Sequence, residues 1–187
     1  MRTEVHVHGS LYLRKGVTLS QIEAGLRQWM EYLDAESISE MRSLEPSEPG
    51  VSYDQSARVL DICWTGEVGR TFQRSLQATL VDMGPLLEQA SEIEITFYHE
   101  DGRDEFQLLF AGPSAEAIHQ VQRRLMLTDV SSLLSRHFGT EEVKRVEALV
   151  NELFDRDWEQ KGAQAQAEAD FQPSGSLIHF RGKKHLH

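Results

Sequence analysis

Residues Thr3–Leu13 alternate between apolar and polar side chains, a pattern that predicts a half-buried strand. Val5, Val7, Leu11 and Leu13 fall on one side. Glu4, His6, His8, Ser10 and Tyr12 fall on the other. The periodicity then changes to that of a helix. Leu19, Ile22, Leu26, Trp29, Met30 and Leu33 recur at helical spacing, and Thr18 with Gln21 has the form of a capping box. Ser37–Leu44 reads as a weak strand. Glu45–Tyr53, with Pro46, Pro49 and Gly50, reads as a loop. Ala57–Thr65 reads as a strong strand, with Leu60, Ile62 and Trp64 on one face and Val59, Asp61 and Cys63 on the other.

A second helix is predicted from Phe72, Leu76, Leu80, Met83 and Leu87, with a kink or an end near Gly84 because Pro85 falls inside the pattern. Ile93, Ile95 and Phe97 alternate, as do Phe106, Leu108 and Phe110, with Asp101-Gly102 between them. That arrangement predicts a β-hairpin closed by a tight turn. In this reading both apolar sets face the core, and Glu105 and Gln107 point away from it. Three helices follow. The first is capped by Ser114. A short one spans Val130–Phe138 and stops at Gly139. A long one starts at Thr140 with Val146, Leu149, Val150, Leu153 and Trp158 on its apolar side.

The order β-α-β-β-α-β-β over residues 2–111 resembles the ferredoxin-like split βαβ plan. The expectation is an α+β fold: an antiparallel sheet of about five strands with helices on one face, plus a C-terminal helical extension. The expected divisions are 1–112 for the sheet domain, 113–159 for helices packed on it, and 160–187 for a polar linker and a flexible basic tail. Ile178 and Phe180 could add an edge strand from that tail. A fold-level resemblance carries no function with it.

Composition narrows the classes of function. The net charge is −11, a sign that repels phosphate backbones and weighs against nucleic-acid binding. Residues 171–187 run against that sign, with Arg181, Lys183, Lys184 and no acid. No apolar run has the length of a membrane span, and the N-terminus lacks the apolar segment of a signal peptide, so a cytoplasmic location is expected. Cys63 is the single cysteine, so neither an internal disulfide nor a cysteine-rich metal site can form in one chain. Within its strand it reads as a packed small side chain.

The candidate chemistry lies on the polar side of the sheet. His6 and His8 point the same way, at a spacing common among metal ligands, and Glu4, Asp61 or Tyr98 could complete a shell. His6, His8, Asp61 and Tyr98 are therefore the expected ligand-binding residues, with His6 and His8 as metal ligands. The plainer reading, two surface histidines on a wet face, is the more common outcome for such a pair. No phosphate-binding glycine loop, G-x-S-x-G or H-E-x-x-H occurs, so no catalytic residue and no cofactor is assigned. The leading functional reading is a non-enzymatic binding or assembly protein that self-associates. The alternatives are a small-molecule or metal-dependent enzyme using the face around His6 and His8, and an acidic mimic of nucleic acid.

Overall fold

The computed structural model describes residues 2–99, 101–168 and 180–182, with side chains described through residue 162. The first strand, β1 (Thr3–Tyr12), keeps the alternation of its sequence: Val5, Val7 and Leu11 are fully buried. Helix α1 (Leu19–Leu33) starts at the expected capping box. The Thr18 hydroxyl accepts from the Gln21 N–H, and the Gln21 side chain accepts from the Thr18 N–H. A 3₁₀ turn at Ile38–Glu40 leads to β2 (Gly50–Asp54) and β3 (Val59–Val68). Helix α2 (Phe72–Met83) stops at Gly84, and Pro85 sits in a 3₁₀ turn beyond it. Strands β4 (Ser91–Tyr98) and β5 (Glu105–Ala111) complete this part of the chain.

The fold is α+β, with an antiparallel sheet in the order β2-β3-β1-β4-β5. A short sixth strand, β6 (Phe180–Gly182), pairs with Phe106–Leu108 at the outer edge of β5. The sheet therefore runs past β4 on that side and differs from the four-stranded split βαβ arrangement. The rest of the expected basic tail, 171–179 and 183–187, lies outside the described residues.

One side of the sheet holds the core. Val5, Val7, Leu11, Leu60, Ile62, Trp64, Ile93 and Ile95 meet Ile22, Leu26 and Trp29 of α1 and Phe72, Leu76 and Leu80 of α2. Full burial of one such side chain contributes about 1.5–3 kcal/mol. An aromatic cluster sits at its centre. Trp29 meets Trp64 edge-on at 5.5 Å between ring centroids, and Trp64 stacks on Phe72 at 5.7 Å. The Trp64 ring lies over Gly66, filling the space a side chain there would need.

Three predicted elements before residue 112 differ. Ser37–Leu44 is a 3₁₀ turn and an irregular stretch, and the strand begins at Gly50 inside the segment read as a loop. Pro49 ends the irregular run, after which Val51, Ser52 and Tyr53 have ordinary strand character and pair with β3 only, as an edge strand does. The register of β5 is the opposite of the one expected. Phe97 pairs with Glu105 and Ile95 with Gln107, so Gln107, Leu109 and Ala111 face the core. Phe106, Leu108 and Phe110 lie on the far face, level with Thr96, Glu94 and Glu92. The cause is the length of the connection. Gly102, with φ 71°, lies in a turn closed by its N–H on the His99 carbonyl, but the strands part earlier than a two-residue turn would allow. A shift of one residue moves a whole strand's side chains to the other face. Buried Gln107 is kept satisfied by Gln73 of α2, whose Nε2 donates to it at 2.8 Å.

The chain divides into two compact units, one built on Met1–Ile118 with β6 and one on His119–Gly175. Helix α3 (Ala115–Leu134) is continuous, so the separate short helix expected at Val130–Phe138 does not form. Ser114 caps it, accepting from the Ala117 N–H. Helix α4 (Thr140–Glu168) carries on through the polar stretch after Trp158. Within the second unit α3 and α4 are joined by polar contacts. Arg123 donates to Asn151 and pairs with Asp155 at 2.7 Å, and the Ser131 hydroxyl donates to Glu147. No helix among the described residues is long and apolar enough to cross a membrane.

His119 is buried between these helices, 4.8 Å from the Trp158 ring and 5.2 Å from Phe154. Its Nε2 lacks a hydrogen-bond partner, although Asp157 lies 3.8 Å away. Burial pushes its pKa down, outweighing attraction to Asp157, with Lys161 and Arg123 pushing the same way as burial. A folded pKa below the unfolded one means that neutral imidazole is favoured by folding. The associated stability is complete above the unfolded value, about 6.5, and is lost as pH falls through the folded value. His119→Phe keeps the ring packing and removes the proton site. The expected result is a shallower loss of melting temperature between pH 7.5 and 5 in the variant than in the parent, followed by helical circular dichroism. Parallel curves would remove His119 as the cause.

Candidate functional site

The polar face of the sheet is assembled by strand register. His6 stands opposite Thr65 of β3 and Thr96 of β4, and His8 opposite Cys63 and Glu94. The two imidazoles stack, with centroids 6.2 Å apart and planes 16° from parallel. His6 is half-buried and His8 exposed. The irregular segment before β2 brings a carboxylate to the same place. The Trp64 indole donates to the Arg42 carbonyl at 2.9 Å, the Leu44 N–H donates to the Thr65 carbonyl, and the Thr65 N–H donates to the Ser43 hydroxyl. These bonds hold residues 42–44 along β3 and present Glu48 over the sheet.

Glu48 Oε1 lies 3.3 Å from His6 Nδ1 and accepts from the Thr65 hydroxyl at 3.2 Å. Its other oxygen accepts from the Ser43 hydroxyl at 2.5 Å. His6 Nδ1 is also 2.9 Å from the Thr65 hydroxyl. One ligand atom each from His6, Glu48 and Cys63 lie within 4.8 Å of one another. Partial burial works to raise the Glu48 pKa. Hydrogen bonds from Ser43 and Thr65, and the neighbouring His6 and His8, outweigh it and hold the carboxyl below the usual glutamate range. Burial, and then the Glu48 charge, push the Cys63 thiol up. A thiol so placed is a weak nucleophile at neutral pH, because only the thiolate attacks. A coordinating dication would reverse that balance by deprotonating the thiol.

The four residues expected from sequence do not share one site. His6 and His8 are adjacent. Asp61 is opposite Ser10, whose hydroxyl donates to it at 2.6 Å, and is exposed. Tyr98 is opposite Glu4 and exposed. Six positions along β1 separate those two pairings, roughly 20 Å at strand rise, so Asp61 and Tyr98 cannot touch one small ligand together. The residues that do meet His6 are Glu48, Cys63 and Thr65. Strand parity alone put Cys63 on this face. Nothing in the sequence pattern pointed to Glu48, whose segment has no periodicity.

The sheet and this cluster define an α+β protein with histidine, carboxylate and thiol gathered on one sheet face. Residues 3–155 match a family of unknown function, DUF6806, and the chain belongs to that family. No curated protein matches the chain. No solved structure matches it.

Proposed function

We propose that this is a non-enzymatic binding protein that acts as a homo-oligomer and takes its ligand on the polar sheet face around His6. The approach of His6, Glu48 and Cys63 to one another carries this reading. Three chemically different donors gathered from two strands and a pinned irregular segment make a better ligand cradle than two surface histidines would. The Cys63 thiol, pushed up by burial and by Glu48, is poorly suited to act as an unassisted nucleophile. Self-association is supported by the outer side of α4, where Leu149 and Leu153 are about half exposed, at 53% and 48%. We read the first unit as an elaborated ferredoxin-like sheet, on the strength of the order β2-β3-β1-β4 within it, with β5 and β6 as additions.

The test is native mass spectrometry of the full chain, purified without chelator, beside the double variant His6→Ala with His8→Ala. The expected result is an oligomer of the parent carrying a bound species that the variant lacks. Identical spectra with no bound mass in either would remove the sheet face as a binding site. A monomer in both would remove the oligomer.

A further inference from the structure

Resting on that reading, we infer that the ligand is a divalent transition-metal ion of the zinc class, held by His6, Glu48 and Cys63. The donor set selects the ion. A thiolate and an imidazole suit zinc-class metals, whereas magnesium and calcium are held by oxygen ligands. Thiolate and carboxylate together carry two negative charges, which one dication neutralises. The positions are also close to what coordination needs. Zinc sits about 2.0–2.3 Å from nitrogen, oxygen and sulfur ligands, so tetrahedral ligands lie roughly 3.3–3.8 Å from one another. The His6–Glu48 separation is already 3.3 Å, and the whole set lies within 4.8 Å. Closing the set takes side-chain adjustments on a scale that rotamers supply, with no change of strand register.

The surroundings suit such a site. Ligating carboxylates are held by further hydrogen bonds that orient them. Glu48 has two such donors, the Ser43 and Thr65 hydroxyls, which hold it over the sheet independently of any ion. Thr65 is buried and reaches both Glu48 and His6, so it lies behind the two ligands. Three protein ligands leave a fourth position for water or an outside donor, the pattern of a zinc site that is not closed. His8 stacks on His6 and stands opposite Cys63.

The single cysteine makes the test specific. The full chain is freed of metal with a chelator under reducing conditions, and cobalt(II) is titrated in as the spectroscopic probe. Thiolate ligation gives an intense near-ultraviolet charge-transfer band that can come only from Cys63. The expected result is that band at one cobalt per chain, bleached by zinc(II) and unaffected by excess magnesium. Cys63→Ala abolishes it. Glu48→Gln and His6→Ala each weaken cobalt affinity by about tenfold or more, as even the loss of outer-shell partners does at metal sites. Asp82→Asn, exposed on α2 across the sheet from the cluster, leaves affinity unchanged. Thermal melts of each variant verify folding, and Cys63→Ser replaces Cys63→Ala if the latter does not fold.

No band, with no heat of zinc(II) binding by calorimetry, overturns the inference. A band at one cobalt per two chains that is indifferent to Glu48 and His6 also overturns it, because the cysteines of two chains would then be sharing the ion. The binding reading fails separately. If the parent carries a bound species in native spectra whose mass is not that of a metal ion, and the histidine double variant loses it, the face binds but the ion assignment falls. If neither a bound mass nor cobalt ligation is found, both fall together.

Discussion

Val7→Asp is expected to abolish folding. Val7 is fully buried, with Trp64 opposite on β3 and Ile95 opposite on β4, and it faces the helices. A carboxylate there has apolar neighbours on both sides and lies within the apolar core. The cost of an unpaired buried charge is on the order of 4 kcal/mol or more, comparable to the roughly 5–15 kcal/mol that stabilises a typical domain. The neighbouring position provides the control. His8 points to the other face and is exposed, so His8→Asp is expected to change stability by less than about 1 kcal/mol, even with Glu94 opposite. Urea denaturation followed by circular dichroism compares the two. A folded Val7→Asp protein as stable as His8→Asp would show that β1 does not present Val7 to the core.

Gly50→Ala is the second large effect expected, and it links the fold to the candidate site. Gly50 opens β2 with φ 77°, where a side chain is strained, at a cost of about 1–3 kcal/mol. Space is closed as well. A Cβ would overlap the Met41 carbonyl oxygen and come within 3.1 Å of Arg42 Cα and Ser43 N. These are backbone atoms and cannot rotate away. The segment from Met41 to Gly50 must then move, although Val51 N–H is bonded to the Met41 carbonyl and Ser43 holds Glu48. Gly50→Ala is therefore expected to lose stability in urea and to lose cobalt affinity, although no ligand is touched. Unchanged stability and affinity would mean that this segment is not anchored at Gly50.

Much of the fold can be read from the sequence because local rules and burial agree. Val5, Val7 and Leu11 alternate where one sheet face is buried, Thr18 and Gln21 cap α1, and Pro85 stops α2. The failures have a common physical source. The parity of β5 depends on the length of the 99–104 connection, which alternation within β5 cannot report, because its second face is apolar too at Phe106, Leu108 and Phe110. Strand β2 is an edge strand that follows two prolines, so turn signals mask it. Half of the candidate site was legible for the same reason as β1: strand parity puts His6 and His8 side by side. Glu48 was not legible, because it reaches His6 through tertiary bonds from Trp64 and Thr65 to an irregular segment.

The hydrogen bond from the Trp64 indole to the Arg42 carbonyl has an optical consequence. Trp29 and Trp64 are almost wholly shielded from water, whereas Trp158 is 37% exposed. The first two should emit at short wavelength and resist aqueous quenchers, and Trp158 should emit further to the red. The Trp64 ring is tied to the backbone that leads to Glu48, so release of that segment from β3 would free its N–H and redden the short-wavelength emission. The protein thus contains its own fluorophore for the docking of residues 41–50, and Trp158→Phe would remove the red emission, leaving Trp64 beside the buried Trp29 as a constant contribution.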